Sequence, residues 1–164
     1  MKQGIFEIIE NTALTESVYR MRLQGDVSAI TAAGQIVNIQ LAGKYLRRPI
    51  SVCEVADGVL TIVYKVVGAG TEQMSKMSCG EKLDVLTGLG NGYNLELAGD
   101  KPVLLGGGVG VPPMYELCKR LIAMGKEVNV ILGFNTKAEL FYEDEFNALG
   151  AQVTVTTVDG SYGM

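Results

Sequence analysis

The sequence contains no histidine and only three cysteines. Catalytic triads of Ser, His and Asp, Cys–His dyads and histidine-ligated metal sites are therefore excluded within the chain. Cys53, Cys79 and Cys118 stand far apart, match no short Cys-x-x-Cys spacing and cannot supply four thiolates to an iron–sulfur cluster. We expect three reduced, mainly structural thiols, and any catalysis must depend on a cofactor or on other side chains.

Long hydrophobic runs and an excess of positive charge are also missing. No apolar run reaches the roughly 20 residues that a bilayer crossing needs, and Met1–Glu10 has no basic stretch followed by an apolar core. With 14 Lys and Arg against 18 Asp and Glu, the net charge is -4. This acidic balance argues against nucleic acid as a partner. We expect no membrane insertion and a cytoplasmic location.

The first hundred residues favour a small antiparallel barrel. Met21 and Leu23 alternate with Arg20 and Arg22, as in a half-buried strand. Short segments of this type are separated by glycine-containing turns, and one short helix is expected at Thr71–Met77, with Thr71 capping its first turn. The six predicted strands are Ile5–Glu10, Tyr19–Leu23, Val37–Leu41, Ile50–Val55, Leu60–Val67 and Lys82–Thr87.

After Gly99 the pattern changes to strand, helix, strand, helix, strand. An apolar strand at Val103–Leu105 leads through a glycine turn into a helix, a second strand ends near Phe134, a second helix is expected at Lys137–Leu149, and Val153–Val158 forms a third strand. We therefore predict a six-stranded barrel in residues 1–98 and a partial Rossmann-like α/β domain in residues 99–164.

This α/β unit is half of the usual doubly wound arrangement. Its first strand normally lies centrally and pairs on both sides, so one edge of the Val103–Leu105 strand is expected to be bare. The chain also stops in the glycine-bearing turn Asp159–Met164. We expect that the domain is incomplete at its C-terminus.

Glycine is abundant, with 21 residues in 164, and its clusters lie where phosphates are commonly bound. In Arg48-Pro49-Ile50-Ser51 a guanidinium suited to phosphate precedes a proline-fixed backbone and a hydroxyl. Gly70-Thr71 follows a strand and opens a helix, whose N-terminus attracts anions. The alternative interpretations are a solvated strand edge and a plain strand-to-helix turn.

Two further glycine clusters follow. The glycines of Gly88–Tyr93 would allow the backbone of this turn to approach the ring of a ligand closely. The alternative interpretation is a mobile loop. Gly106-Gly107-Gly108-Val109-Gly110 directly follows a buried strand and opens a helix at Pro112 or Pro113, the context in which a glycine loop supports a pyrophosphate. It is neither a strict Gly-x-Gly-x-x-Gly motif nor a P-loop, and the alternative is a tight connection without a ligand.

In this order, the clusters resemble those of ferredoxin-NADP reductase-like flavoproteins, and most closely those of the electron transfer subunits of NAD-dependent dihydroorotate dehydrogenases. The resemblance covers essentially the whole chain. The matching segments are Arg47–Ser51, Tyr64–Thr71, Gly88–Tyr93, Gly106–Pro113, Gly133-Phe134 with Glu139–Tyr142, and Thr156–Gly160.

This resemblance implies two cofactor sites. FAD would contact Arg48, Pro49, Ile50, Ser51, Val63, Tyr64, Lys65, Gly70 and Thr71, and NAD would contact Gly106, Gly107, Gly108 and Gly110. No side-chain acid or base is required at FAD, and we assign no catalytic residue. NAD and NADP are not distinguished, because the second strand ends in Gly133-Phe134-Asn135 without a clear ribose-reading acid.

The resemblance also implies a partner and a further redox centre. In the family, an FMN-containing catalytic subunit oxidises dihydroorotate in pyrimidine biosynthesis, in a heterotetramer with two copies of each subunit. Electrons then pass through a 2Fe-2S cluster to FAD and on to NAD. The cysteine-rich segment that holds this cluster is not present here, so we predict no metal site in the chain.

Two other functions fit the same residues. One is the small flavin subunit of a sulfide dehydrogenase or of an NADH-dependent ferredoxin:NADP oxidoreductase. The other is a cofactor-free interaction module whose glycines only form turns.

Overall fold

The computed structural model describes the whole chain, Met1 to Met164, and its first part is a closed six-stranded barrel. All strand pairs are antiparallel, in the order β1-β2-β5-β4-β3-β6. The strands are β1 (Lys2–Ala13), β2 (Val18–Gln24), β3 (Ile36–Ile39), β4 (Arg48–Ala56), β5 (Val59–Lys65) and β6 (Lys82–Leu89), and a short helix, α1 (Ala69–Ser75), connects β5 to β6. The predicted six-stranded barrel is confirmed.

The barrel core follows from the alternation in the sequence. Met21 and Leu23 are completely buried in the barrel, whereas Arg20 and Arg22 lie on its outside and approach Glu10. Val37 and Ile39 fill the same core from β3. Burial of alternate apolar side chains holds each strand in register, since a slip of one residue would move them into solvent.

One irregularity in β4 connects the barrel to the rest of the molecule. Val52 pairs with Ile62 and Glu54 with Thr61, so Cys53 is an extra residue in a β-bulge. By strand alternation Val52 points into the barrel, and Cys53 points outward into a second core shared with the α/β part. Both side chains are fully buried.

The second part of the chain is a three-stranded parallel sheet with helices. It consists of β7 (Val103–Gly107), α2 (Pro112–Ala123), β8 (Asn129–Phe134), α3 (Glu143–Ala148) and β9 (Gln152–Thr157). The sheet order is β7-β8-β9. Pro112 and Pro113 lie in the first turn of α2, as predicted. The longest helix has 12 residues, and no helix is long and apolar enough to span a bilayer.

The prediction of one continuous helix at Lys137–Leu149 is wrong. A short 3-10 turn at Lys137–Glu139 is separated from α3 by three residues, and Tyr142 adopts a left-handed conformation with φ of 70°. The break lets two successive aromatic side chains enter the shared core. Phe141 packs against Phe134 with ring centroids 5.2 Å apart, and Tyr142 against Tyr115 at 5.3 Å. This burial offsets the cost of roughly 1–3 kcal/mol for the left-handed residue.

Strand β7 has an unpaired edge, as the sequence predicts. Its side chains alternate, with Leu104 buried against the helices and Val103 and Leu105 exposed to 62% and 71%. At the opposite end of the sheet, the C-terminal turn folds back on β9, where the Met164 amide donates to the Val155 carbonyl at 3.0 Å. Only the β7 side of this sheet therefore presents both free backbone groups and exposed apolar side chains.

We expect this edge to drive self-association of the chain. Leu105→Lys should shift the chain toward monomer in sedimentation velocity, because a charged side chain on an edge strand disfavours pairing. Leu97→Lys is the matched control, since Leu97 is equally exposed, at 83%, but lies outside the sheet. A wild-type chain that sediments as a single monomer at all concentrations would contradict this prediction.

Candidate functional site

The start of β4 and the start of α1 form a candidate anion-binding cradle. The guanidinium of Arg48, the first residue of β4, lies directly against the backbone of Gly70 in the first turn of α1. A Cβ atom at Gly70 would stand 2.2 Å from Arg48 Nε, so only glycine permits this approach. The guanidinium and the positive end of the helix therefore meet at one point, where both attract phosphate.

Thr71 is not the N-cap residue, contrary to our expectation. The N-cap is Gly68, and Thr71 is the third residue of α1. Its hydroxyl accepts from the amides of Val67 at 2.9 Å and Gly68 at 3.3 Å, and donates to the Gly68 carbonyl at 3.1 Å. The hydroxyl is thus used to shape the turn, and the helix amides remain to face a ligand.

The other predicted FAD residues lie on adjacent strands beside this cradle. Pro49, Ile50 and Ser51 follow Arg48 along β4, and their backbone pairs with β3. Val63 and Tyr64 near the end of β5 have buried side chains, and the Tyr64 hydroxyl donates to Asn11 Oδ1 at 2.9 Å. These two residues therefore offer a ligand their backbone, not their side chains.

The Gly106–Gly110 loop ends β7 and opens α2. Gly106 packs tightly, since a Cβ there would stand 2.9 Å from the Val111 Cα, while Gly107, Gly108 and Gly110 are exposed. The last three form or flank a 3-10 turn at Gly108–Gly110 that leads into the helix. A bare backbone at the N-terminal end of a long helix is the arrangement that holds pyrophosphates.

A cavity of about 480 Å³ lies between the barrel and the carboxyl ends of the parallel strands. Its walls come from both parts of the molecule, with one cation, Lys65, on the barrel side and one carboxylate, Glu139, on the α/β side. The lining residues are Thr15, Ser17, Val18, Lys65, Gly107, Gly108, Val109, Gly133, Phe134, Asn135, Glu139, Phe141, Thr156 and Val158.

Glu139 is a candidate that our sequence reasoning missed. It follows β8 by five residues, and its Oε2 accepts from the Asn135 amide at 3.2 Å. This hydrogen bond holds the carboxylate at the carboxyl end of the second strand, where dinucleotide folds read the ribose hydroxyls. The available sequence signal was an acid shortly after the strand, hidden by the expectation of a continuous helix.

The Gly88–Tyr93 turn is packed against the β2–β3 connection. The Tyr93 amide donates to the Ala33 carbonyl at 2.8 Å, and Gln35 Nε2 donates to the Gly90 carbonyl at 2.9 Å. A Cβ at Gly88 would stand 2.5 Å from the Ala29 carbonyl oxygen. Close backbone packing accounts for this glycine, so the loop is anchored to the barrel.

A buried ion cluster joins α2 to the barrel at the β4 bulge. Glu116 is 2% exposed, accepts from the Val55 amide at 3.3 Å, and lies 3.2 Å from Lys119 Nζ. Lys119 also reaches Glu54 at 3.1 Å and donates to the Val55 carbonyl at 3.2 Å. Arg120 donates to the Thr31 carbonyl at 2.8 Å. These contacts fix the relative position of the cradle and the cavity.

The three thiols are unpaired and separate. Cys53 and Cys118 are buried, and burial raises their pKa values to about 12 and about 11, whereas Cys79 is exposed. No cluster of three or more His, Cys, Asp or Glu side chains that could hold a metal ion is found.

We expect the Thr71 hydroxyl to stabilise the cradle. Thr71→Val should lower the free energy of unfolding in urea by about 1–3 kcal/mol, because the Val67 and Gly68 amides lose their buried acceptor. Thr71→Ser keeps the hydroxyl and should retain most of the stability. Equal destabilisation by the two substitutions would show that the hydroxyl does not hold the turn.

Comparisons with known proteins agree with this architecture. The model of the oxidoreductase NAD-binding domain family matches residues 104–159. The NADH-dependent reduced ferredoxin-NADP oxidoreductase structure superimposes with a TM-score of 0.88 at 34% identity, over 98% of this chain and 59% of that one. A ferredoxin NADP+ reductase from Neisseria gonorrhoeae with bound FAD and NADP has a TM-score of 0.82 at 18% identity, over 96% and 69%. The fold is that of a ferredoxin reductase-like oxidoreductase.

Curated relatives narrow this class. The chain is 41% identical to the electron transfer subunit of dihydroorotate dehydrogenase B (NAD(+)) from Bacillus pumilus over 99% of its own length and 66% of the relative. It is 43% identical to the subunit of the same name from Fusobacterium nucleatum, over 94% and 62%. The chain is similar over nearly its whole length to these dihydroorotate dehydrogenase B electron transfer subunits, and it spans a little under two thirds of their length.

Proposed function

We propose that the chain is the flavin- and NAD-binding part of an electron transfer subunit of NAD-dependent dihydroorotate dehydrogenase. The observation that carries this proposal is the presence of two candidate anion sites, one on the barrel and one at the wall of the cavity. The Arg48–Gly70 cradle lies on the barrel, and the Gly106–Gly110 loop lies at the cavity wall of the α/β part. The names of the relatives support the same function.

FAD is the ligand proposed for the barrel, residues 1–98. The Arg48 guanidinium and the amides at the start of α1, including those of Gly70 and Thr71, would hold its pyrophosphate. Residues 49–51 of β4 and 63–65 of β5 would line its flavin ring. A bound flavin supplies one- and two-electron transfer, and the protein supplies position and insulation from water.

NAD is the ligand proposed for the α/β part, residues 99–164. The exposed backbone of the Gly106–Gly110 loop would support its pyrophosphate at the start of α2. Glu139 would accept hydrogen bonds from the adenosine ribose hydroxyls, and its negative charge would repel the 2′-phosphate of NADP. This arrangement favours NAD as the electron acceptor.

An FMN-containing catalytic subunit that oxidises dihydroorotate is the proposed partner, with two copies of each subunit. The names of the relatives, as electron transfer subunits, support the need for such a partner. The three thiols of this chain do not fit a 2Fe-2S cluster, because two are buried in the protein core and a cluster needs four ligands. We therefore assign no step to a cluster held by these residues.

A second candidate is a subunit of an NADH-dependent ferredoxin:NADP oxidoreductase. The structural match at 34% identity and a TM-score of 0.88 supports it. The higher identity of the dihydroorotate dehydrogenase B relatives, 41% and 43%, favours the first proposal.

The FAD assignment is tested with Arg48→Ala. Loss of a charged hydrogen bond to phosphate should weaken FAD binding by about 10-fold or more in a flavin fluorescence titration. Arg22→Ala is the control, because Arg22 lies on β2 of the same barrel and approaches only Glu10. Failure of the wild-type chain to bind FAD would overturn the proposal, and equal FAD affinity of Arg48→Ala and wild type would remove Arg48 from the site.

The choice between NAD and NADP is tested with Glu139→Gln. The wild-type chain should bind NAD more tightly than NADP. Glu139→Gln should lower the affinity for NAD and should reduce the ratio of NAD affinity to NADP affinity by about 10-fold, because the carboxylate no longer repels the 2′-phosphate. Isothermal titration with both dinucleotides measures the ratio. Asp144→Asn removes an exposed carboxylate from α3 and should leave this ratio unchanged. An unchanged ratio in Glu139→Gln would contradict the assignment.

A further inference from the structure

We propose that Asn11 is a positioning residue of the FAD site. Its side chain joins β5, which is proposed to line the flavin ring, to the C-terminal end of α1, whose first turn is proposed to hold the pyrophosphate. Asn11 would therefore act through α1 and set the distance between the two halves of the FAD site. This inference rests on the proposed function, and it adds a residue of β1 that belongs to none of the segments that carry the resemblance.

Asn11 binds the C-terminal end of α1 from the barrel. Its Nδ2 donates to the Met74 carbonyl at 2.8 Å and to the Met77 carbonyl at 2.9 Å. The last carbonyls of a helix lack partners in a following turn, and α1 has no basic residue in its last turn that could supply a donor. The amide of Asn11 supplies it from another strand, 63 residues before Met74 in the chain.

The hydroxyl of Tyr64 fixes the orientation of this amide. It donates to Asn11 Oδ1 at 2.9 Å, and because the two helix carbonyls can only accept, Nδ2 must be the atom that faces them. Tyr64 is buried, and burial raises its pKa, so the hydroxyl stays a donor at neutral pH. Its ring also stacks on that of Tyr19, with centroids 5.9 Å apart. The amide is therefore held from both sides in one orientation.

The attachment of α1 determines where its first turn meets Arg48. A helix of seven residues is too short to be stable by itself, so its placement depends on its contacts with the barrel. The contact at the first turn tolerates little displacement, since even a Cβ atom at Gly70 would collide with the guanidinium. The hydrogen bond from Gln73 to the β3–β4 connection is exposed to solvent, whereas those of Asn11 are partly buried. Asn11 therefore contributes a firm attachment, and the buried Met74 side chain keeps the helix against the barrel core.

The test measures FAD binding to the full chain by flavin fluorescence titration. Asn11→Ala should weaken FAD by about 10-fold, because the first turn of α1 is no longer held in one position before FAD binds. Tyr64→Phe keeps the amide but removes the group that orients it, and should weaken FAD by about threefold. Gln3→Ala is the matched control, because Gln3 is also an amide on β1 but donates to Asp84 of β6, at 2.6 Å. Its FAD affinity should stay within about twofold of wild type.

Two further measurements separate positioning from a general loss of stability. In hydrogen–deuterium exchange without FAD, the amides of residues 69–77 should exchange about 10-fold faster in Asn11→Ala and at the wild-type rate in Gln3→Ala. In a double-mutant cycle with Arg48→Ala, the two losses of FAD affinity should be less than additive, since Asn11 acts through the turn that meets Arg48.

Wild-type FAD affinity in Asn11→Ala would overturn the inference while leaving the proposed function intact. Fully additive losses in the cycle, or unchanged exchange of residues 69–77, would also overturn it, because Asn11 would then not act through α1. Where Asn11→Ala does not fold, the same measurements apply to Tyr64→Phe, and wild-type FAD affinity in that variant would count against the inference equally. A wild-type chain that does not bind FAD would overturn the proposed FAD site itself, and this inference with it.

Discussion

The contact between helix α2 and the bulged part of strand β4 is the constraint on which the arrangement of the two sites depends. Glu116 is buried there with Lys119 and Glu54, and both the amide and the carbonyl of Val55 are used. A buried carboxylate is tolerated only where nearby cations and donors compensate its desolvation. Because these partners come from both parts of the chain, the ion cluster favours one relative orientation of the barrel and the α/β part.

The outward face of β4 gives this strand a second task. Consecutive strand residues point to opposite faces, so Val52 is buried in the barrel core and Cys53 in the other core. Cys53 lies in the core that contains Cys118, Leu117 and Tyr142. The same strand begins with Arg48, so one segment forms the cradle, closes the barrel and anchors the second part of the molecule.

The barrel could be predicted because its information is local. Alternating side chains such as Met21 and Leu23 mark strands, and glycine turns mark their ends. The start of α2 was also predictable, since proline is favoured in a first helical turn and the buried strand before it is apolar. The resemblance assigned Arg48 and Gly70 to the same cofactor, although it did not predict that the Arg48 guanidinium lies against the Gly70 backbone.

The failures share a different cause, which is tertiary contact. Nothing local forbids a helix through Leu140–Tyr142, and the break arises because Phe141 and Tyr142 are buried against Phe134 and Tyr115. Glu139 was overlooked for the same reason, as it reaches the end of β8 only because this helix is broken. The N-cap of α1 was expected at Thr71 but lies three residues earlier, at Gly68, which has no side chain that could cap the helix.

The accessibility of the thiols makes the chain suitable for site-specific labelling. Cys53 and Cys118 are buried and stay protonated at neutral pH, so a maleimide reagent reaches Cys79 alone. Cys79 lies in the turn between α1 and β6, close in sequence to the helix whose first turn contacts Arg48. A single fluorophore attached to the unmodified sequence would therefore report on events at the cradle without the need for an engineered cysteine.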